Sequence, residues 1–241
     1  RAPLLSLSGY GVHSRQVFRW LSEQNVTLIT QVVSWGNTSW MINPDMENGL
    51  IGKIMSHSRA PEEIQGTADV SIQVQLPNEW DPALAKINIG FSAWVVTDVC
   101  NPGWIQAANR MTAIVVPSEF TRSVIEKTGK ITVPLYVVPE AFIDEVLEPE
   151  LSSLPLEVET NFNFLMVGQI TGNNPDNDRK NTFFALKWLC EQFKNDPDVG
   201  IVIKTNSARS SSIDRHTTRR SLTAVLQQVR KGPFPRVYML H

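Results

Sequence analysis

The sequence has little cysteine and no long apolar run, and each shortage removes a class of protein. Its 241 residues include only two cysteines, Cys100 and Cys190, and neither has metal-ligand spacing around it. Neither a disulfide framework nor a zinc site is therefore predicted. No stretch of eighteen apolar residues occurs, and the first residues lack the order of a signal peptide. We expect a protein of the reducing cytoplasm.

A large excess of charge of either sign is also absent. The chain carries 22 basic and 24 acidic residues, a formal net charge of −2. Such a balance offers no overall field to attract a polyanion, so nucleic acid is not an expected partner. The four histidines show no spacing typical of a metal site, and no Gly-x-Ser-x-Gly motif is present. Nothing in these patterns supports a metalloenzyme or a hydrolase.

Apolar segments of strand length alternate with segments of helical periodicity along most of the chain. This alternation is typical of βαβ units, in which a helix connects two parallel strands. We therefore predict an α/β protein with a mostly parallel sheet. In the first part of the chain, the predicted strands are residues 26–35, 68–76, 87–97, 113–116 and 135–138, and the predicted helices are residues 12–25, 50–55 and 118–128.

A change of composition predicts a domain boundary. No Lys or Arg occurs between Pro139 and Asp178, whereas acids and prolines accumulate, as in a solvated connection. We predict an N-terminal domain at residues 1–145, a linker at 146–160 and a second domain at 161–241. The second domain has the pattern of half a Rossmann-type domain, so we expect a sequence cut short at both ends. The incomplete sheet also suggests a homo-oligomer.

A glycine pair, Gly9 and Gly11, precedes the first predicted helix, with His13 two residues further on. Glycine lets the backbone turn tightly and directs helix N–H groups toward whatever lies in front of them. Such a turn suits a phosphate or a sugar, but it is equally common as a plain connection, and both interpretations stay open. It is not the dinucleotide fingerprint, because no third glycine stands at the required place.

Three basic residues follow two predicted strands of the second domain. Arg179 and Lys180 end a polar loop at the start of a helix, and Lys204 ends the next strand. Ligands of open α/β sheets bind at the carboxyl ends of the strands, where cations can neutralise a diphosphate. A solvated basic pair is the alternative. Cations at a helix N-terminus oppose the helix dipole, however, so an anionic ligand is the simplest compensation.

Polar residues also follow two predicted strands of the first domain. Asn78 and Glu79 come after the strand that ends at residue 76, and Thr97 and Asp98 end the strand that begins at residue 87. These side chains can bind sugar hydroxyls, and Asp98 is a candidate for proton transfer. They can equally be turn or helix caps. No other catalytic residue is predicted.

Several of these segments, in this order and spacing, resemble the group 1 (family 4-like) glycosyltransferases. The resemblance covers most of the chain and continues into the second domain. The segments that carry it are residues 87–93, Thr97-Asp98, Trp104-Ile105, Asn109-Arg110-Met111, residues 116–121, Val137-Val138-Pro139, residues 164–168, Arg179-Lys180-Asn181 and residues 202–205.

The resemblance implies a GT-B fold, with two Rossmann-like domains facing a cleft. It implies metal-independent, retaining transfer of a sugar from a nucleotide diphosphate sugar to a carbohydrate, lipid or protein acceptor. The donor is a substrate, and no cofactor is expected. On the matching residues, Arg179 and Lys180 bind the donor diphosphate and Gly11 approaches it from the other side. The first domain mainly holds the acceptor.

Three departures from the family pattern qualify these expectations. Gln169 follows Gly168 where many members have arginine, and Val96 precedes Thr97 where many have glutamate. The glutamate pair that grips the donor sugar is expected beyond His241, so we expect the chain alone to be inactive. The alternatives are a non-catalytic module of this fold that binds a nucleotide or sugar, and a GT-B epimerase or phosphorylase. Fold alone does not separate these functions.

Overall fold

The structure is a computed structural model that describes residues 1–94, 97–142, 147, 155–169, 176, 178, 180–206 and 211–241. The chain divides into two compact units, Arg1–Leu151 and Ser152–His241, referred to below as unit 1 and unit 2. Within the described residues, no helix is both long enough and apolar enough to cross a lipid bilayer.

Unit 1 alternates helices and strands. Its helices are α1 (Gly9–Ser22), α2 (Leu50–Ser56), α3 (Pro102–Ala108) and α4 (Glu119–Thr128), and its strands are β1 (Ala68–Val74), β2 (Ala85–Phe91), β3 (Ala113–Val116) and β4 (Leu135–Val137). The strands pair in the order β1-β2-β3-β4, and every pair is parallel. The predicted α/β class with parallel strands is therefore confirmed.

Short extended segments continue this sheet beyond β1. The carbonyl of Arg1 accepts a hydrogen bond from the backbone N–H of Val74 at 3.0 Å. Ala2 in turn forms a parallel bridge with Val32, and Thr30 forms one with Ser58. The residues around Arg1 thus lie in the sheet, as a strand before the first helix would.

The sheet of unit 1 is covered by a hydrophobic cluster on each face. Val74 and Phe91 pack with Phe18 of α1 and with Ile51 and Ile54 of α2. Neighbouring strand positions point to opposite faces, and Ile114 and Val116 accordingly join the second cluster, which includes residues of α3 and α4. Burial on both faces explains why these strands read as apolar runs in the sequence.

Helix α4 follows its sequence signals closely. The side chain of Ser118 accepts a hydrogen bond from the backbone N–H of Thr121, and the helix ends at Thr128, before Gly129. Serine is a favoured N-cap because its hydroxyl satisfies a backbone donor that the helix itself cannot. The predicted helix at residues 118–128 and the predicted strand at residues 113–116 are therefore confirmed.

The predicted turn at Gly9 and Gly11 is instead the first turn of α1. Ser8 is the N-cap, and its side chain accepts a hydrogen bond from the backbone N–H of Gly11. Because the cap lies before both glycines, the helix begins at Gly9 and not at residue 12. Gly9 and Gly11 therefore have helical backbone conformations and do not form a loop before the helix.

Two predicted strands are wrong in part. Residues 26–35 form no continuous strand and pair only through the bridges at Thr30 and Val32, because the neighbouring segments offer few backbone partners. The strand predicted at residues 87–97 ends at Phe91. Beyond it, hydroxyl groups replace the sheet partners: the backbone N–H of Ala93 donates to Tyr10 and that of Trp94 donates to Ser92. Trp94 then adopts a left-handed backbone conformation with φ of +57°.

Unit 2 contains three parallel strands and two helices among its described residues. They are β5 (Phe162–Val167), α5 (Thr182–Gln192), β6 (Val199–Lys204), α6 (Ser212–Val229) and β7 (Arg236–Leu240). The strand order is β5-β6-β7. Both helices pack on the core of β6, around Leu186, Ile201 and Ile203. Helix α6 begins at Ser212, because the side chain of Ser211 caps it.

Candidate functional site

The start of α1, at the carboxyl edge of the unit 1 sheet, is fixed by Tyr10. The hydroxyl of Tyr10 lies 2.9 Å from the Ser92 hydroxyl and accepts the backbone N–H of Ala93 at 3.1 Å. Its ring stacks on Trp35, with ring centres 4.2 Å apart. Burial raises the pKa of Tyr10, so its hydroxyl stays protonated at neutral pH. Tyr10 therefore connects the start of α1 with the segment at Trp35 and with the segment that follows β2.

The two glycines of α1 have different surroundings. A Cβ atom on Gly9 would meet nothing within 4 Å, whereas one on Gly11 would overlap the carbonyl oxygen of Ser6 and lie 3.1 Å from that of Pro3. Gly11 is thus required for the close approach of α1 to residues 3–6. The contact of Gly11 with a diphosphate stays a prediction, since packing alone explains this glycine.

His13 is the one predicted residue here that is buried and polar without a partner among the described residues. Neither ring nitrogen has a hydrogen-bond partner there, and 7% of the residue is exposed. The imidazole packs on Phe91 with ring centres 4.2 Å apart. Burial lowers its pKa from 6.5 to about 4, so the ring is neutral at neutral pH. A neutral imidazole offers one donor and one acceptor, which together match a hydroxyl group.

The polar residues that were predicted to follow β1 and β2 are exposed or make local hydrogen bonds. Glu79 accepts the backbone N–H of Leu76 at 3.0 Å, so it caps a short 3-10 turn, Pro77–Glu79. Asn78 is exposed. Thr97 donates to Asp98 at 3.2 Å, and both are exposed beyond the end of β2. The expectation that they end a buried strand is therefore wrong, because that strand stops at Phe91.

In unit 2, two lysines lie around Gly168, at the carboxyl ends of β5 and β6. The backbone N–H of Gly168 donates to the carbonyl of Lys204 at 3.1 Å. The side-chain carbons of Lys180 lie 3.7 to 3.9 Å from where a Cβ of Gly168 would be. Both lysines are exposed. Arg179 lies outside the described residues.

The start of α5 is capped by a carboxylate. The Asp178 side chain accepts the backbone N–H of Lys180 at 3.1 Å and that of Thr182 at 2.7 Å. These are donors that a phosphate at this helix terminus would use. Asp178 therefore already occupies these two backbone donors, and the contact of this edge with a diphosphate stays a prediction. The lysine side chains remain as the cations of this edge.

A buried hydrogen-bonded pair lies at the same edge and was missed from the sequence. Nε2 of His241 lies 3.1 Å from Oδ2 of Asp214, and their side chains are 7% and 9% exposed. His241 follows β7, and Asp214 lies in the first turn of α6. The two residues are distant in the sequence and match no motif, so only the fold brings them together. The pair fixes the start of α6 against the end of β7.

Together these features define an α/β protein with parallel sheets and with two lysines at the carboxyl edge of the second sheet. No protein-family model and no curated protein matches the chain. Two solved structures are similar to it in part. One, described as "OtsA apo structure", has 12% sequence identity and a TM-score of 0.43, with 73% of this chain and 48% of that chain covered.

The second structure is described as "Trehalose-6-phosphate from E. coli bound with UDP-2-fluoro glucose". It has 12% sequence identity and a TM-score of 0.46, with 80% of this chain and 50% of that chain covered. The chain thus spans about half the length of these solved structures. Similarity at this level carries no argument, so the description of the fold rests on the strand pairing alone.

Proposed function

We propose that this chain is part of a retaining, metal-independent glycosyltransferase of the GT-B type. Its reaction is transfer of a sugar from a nucleotide diphosphate sugar to an acceptor. The proposal rests on the sequence resemblance together with the parallel α/β organisation of both units. A cytoplasmic location and self-association through the exposed side of β5, which includes Leu165 and Val167, belong to the same proposal.

The observation that carries the proposal is the position of Lys180 and Lys204. The carbonyl of Lys204 accepts a hydrogen bond from Gly168, and the side chain of Lys180 lies beside the same glycine, so both lysines lie at the carboxyl edge of this sheet. Open α/β sheets bind their ligands at this edge. Exposed ammonium groups are point charges that attract phosphate oxygens without a fixed geometry. Two of them at one edge match the two phosphates of a diphosphate. Arg179, which belongs to the same sequence motif, is the third cation of the proposed site.

The chemistry expected of these cations is electrostatic. When the bond between the sugar and the diphosphate breaks, negative charge develops on the leaving phosphate. Positive groups placed at that position stabilise the transition state more than the ground state. Transfer of this kind needs no nucleophile from the described residues, and the lysines supply positive charge without a metal. Asp98 is proposed only as an acceptor-side residue, because it is exposed beyond β2.

Calorimetric titration with UDP, GDP and their glucose and mannose conjugates tests the diphosphate site. We expect one of these nucleotides to bind the chain, and the Lys180→Ala, Lys204→Ala double variant to bind it at least about tenfold more weakly, since each charged contact contributes ~1 kcal/mol or more. The matched control is Lys194→Ala, Lys231→Ala. These lysines are also exposed, but they follow the ends of α5 and α6 at the opposite edge of the sheet.

The control variant loses the same charge, so it is expected to keep its affinity within about twofold. Equal weakening in both double variants would show a general charge effect and contradict the site. Absence of binding by the parent chain and by a longer chain that continues past His241 would contradict the proposed function itself. A longer chain that binds and transfers the sugar with retained anomeric configuration would support it.

A further inference from the structure

A loop of unit 1 that contains two tryptophans is held rigidly against the start of α1. This loop, residues 35–40 (the Trp35–Trp40 loop), begins with Trp35 stacked on Tyr10 at 4.2 Å. Thr38 donates its hydroxyl to the Trp35 carbonyl at 2.8 Å, which closes a turn. Gly36 has φ of +50°, a conformation that favours glycine. The loop is therefore shaped before any ligand arrives.

Backbone pairing fixes the second half of the loop. Trp40 forms an antiparallel bridge with Ser6, and the backbone N–H of Leu7 donates to the Ser39 carbonyl at 3.0 Å. Side chains directly opposite each other in such a pair lie on the same face. Ser6 Oγ also lies 2.6 Å from Thr38 Oγ1 and 2.9 Å from Ser8 Oγ. These three hydroxyl groups bond one another, and Ser6 is only 1% exposed, so they hold the loop in place beside the bridge at Trp40.

This combination has the chemistry that recognises a pyranose ring. The Trp40 residue is 43% exposed, and the face of an indole is negatively polarised, so it attracts the weakly positive C–H groups on one face of a sugar. The sugar hydroxyls project from the ring edge, where the side-chain amide of the exposed Asn37 can bond them.

We propose that the Trp35–Trp40 loop binds a neutral carbohydrate, with Trp40 as the stacking residue. The inference rests on the proposed function in one respect, because it assigns the acceptor to the carbohydrate class. The binding itself requires no nucleotide. The loop lies at the start of α1, where Tyr10 also contacts the segment that follows β2, so the sugar would occupy the carboxyl edge of the unit 1 sheet.

Saturation-transfer difference NMR with methyl α-D-glucopyranoside, methyl α-D-mannopyranoside and maltose tests the proposal on the whole chain without nucleotide. We expect transfer to the axial ring protons of at least one glycoside, and about tenfold weaker binding in Trp40→Ala. Trp40→Phe keeps an aromatic face and is expected to lose about threefold or less. The matched control, Trp20→Ala, removes a tryptophan of α1 that is 58% exposed, and its binding should be unchanged.

Three outcomes would overturn the proposal. The first is no saturation transfer to any of the three glycosides, and the second is an equal loss of sugar binding in Trp20→Ala and Trp40→Ala. The third is binding, dependent on Trp40, to vesicles of phosphatidylcholine and phosphatidylglycerol (3:1) and not to the sugars. Circular dichroism of each variant separates lost binding from lost folding. Because UDP and GDP are absent, a failure here leaves the diphosphate site of unit 2 standing, and a failure of nucleotide binding leaves the carbohydrate result standing.

Discussion

At the scale of single residues, His13 combines burial with the absence of a hydrogen-bond partner among the described residues. Each unsatisfied buried nitrogen costs free energy, because it has given up its bond to water. A protonated imidazole would cost more, which is why the pKa of His13 falls to about 4. The stability of unit 1 should therefore depend on pH through this residue.

The pH dependence has a defined sign and window. The pKa of His13 is 6.5 in the unfolded chain and about 4 in the folded chain, so between these pH values only the unfolded chain binds the proton. The free energy of unfolding therefore decreases as the pH falls from about 6.5 to about 4. We expect His13→Phe, which keeps a ring against Phe91, to flatten this decrease and to be at least as stable at pH 7. Urea unfolding at pH 7.0 and pH 4.5 measures the difference.

Tryptophan fluorescence is a suitable signal for this measurement, because six of the seven tryptophans lie in unit 1 and only Trp188 lies in unit 2. The control is His216→Gln, which removes an exposed histidine of α6 and should leave the decrease intact. A decrease of equal size in His13→Phe and in the parent chain would show that another group causes it.

At the scale of elements, α1 is positioned by how closely it approaches the segment before it. A methyl group at residue 11 would overlap the carbonyl of Ser6, and backbone atoms cannot move aside as a flexible side chain can. We expect Gly11→Ala to destabilise unit 1 by about 2–4 kcal/mol or to prevent folding. Gly9→Ala, in open space on the same helix, should be neutral or stabilising by up to ~1 kcal/mol.

Urea unfolding of the two alanine variants compares them directly. A Gly11→Ala variant as stable as Gly9→Ala would contradict the close approach of α1 to residues 3–6. If Gly11→Ala folds and loses only nucleotide affinity, the glycine serves the ligand and not the packing, and the diphosphate role predicted for Gly11 gains support.

The elements also show how far local sequence patterns determine this fold. The bounds of α4 were predictable because Ser118 and Gly129 act on the backbone beside them. The end of β2 was not, because it depends on the Tyr10 hydroxyl, which comes from 83 residues away to accept the backbone N–H of Ala93. The bridges at Thr30 and Val32 depend in the same way on partners elsewhere in the chain.

The same distinction applies to the candidate sites. The positions of Lys204 at a strand end and of Lys180 before a helix follow from the alternation of strands and helices, so a local sequence pattern predicts them. The Asp178 cap adjoins Lys180, yet its geometry depends on the left-handed conformation of Asn181, with φ of +54°. The pair of Asp214 and His241 required the tertiary structure, because no local pattern relates a helix start to the end of a later strand.

At the scale of the whole molecule, the described residues form separate hydrophobic cores. Unit 1 has a cluster on each face of its sheet, and unit 2 has one cluster around Ile201. Each cluster draws all of its members from a single unit. Loss of packing in one core should therefore first affect the unit that contains it.

Ile201→Ala tests this separation. Ile201 is fully buried in the central strand β6, and replacing a buried isoleucine by alanine costs about 2–5 kcal/mol through lost contacts and a residual cavity. We expect hydrogen exchange followed by mass spectrometry to show a corresponding loss of protection in peptides from residues 152–241. Ile213→Ala, at a residue of α6 that is 78% exposed, should change protection by less than about 0.5 kcal/mol. Equal loss across residues 1–151 in Ile201→Ala would mean that the chain unfolds as one cooperative unit, in which case the separate clusters would not define separate units of stability.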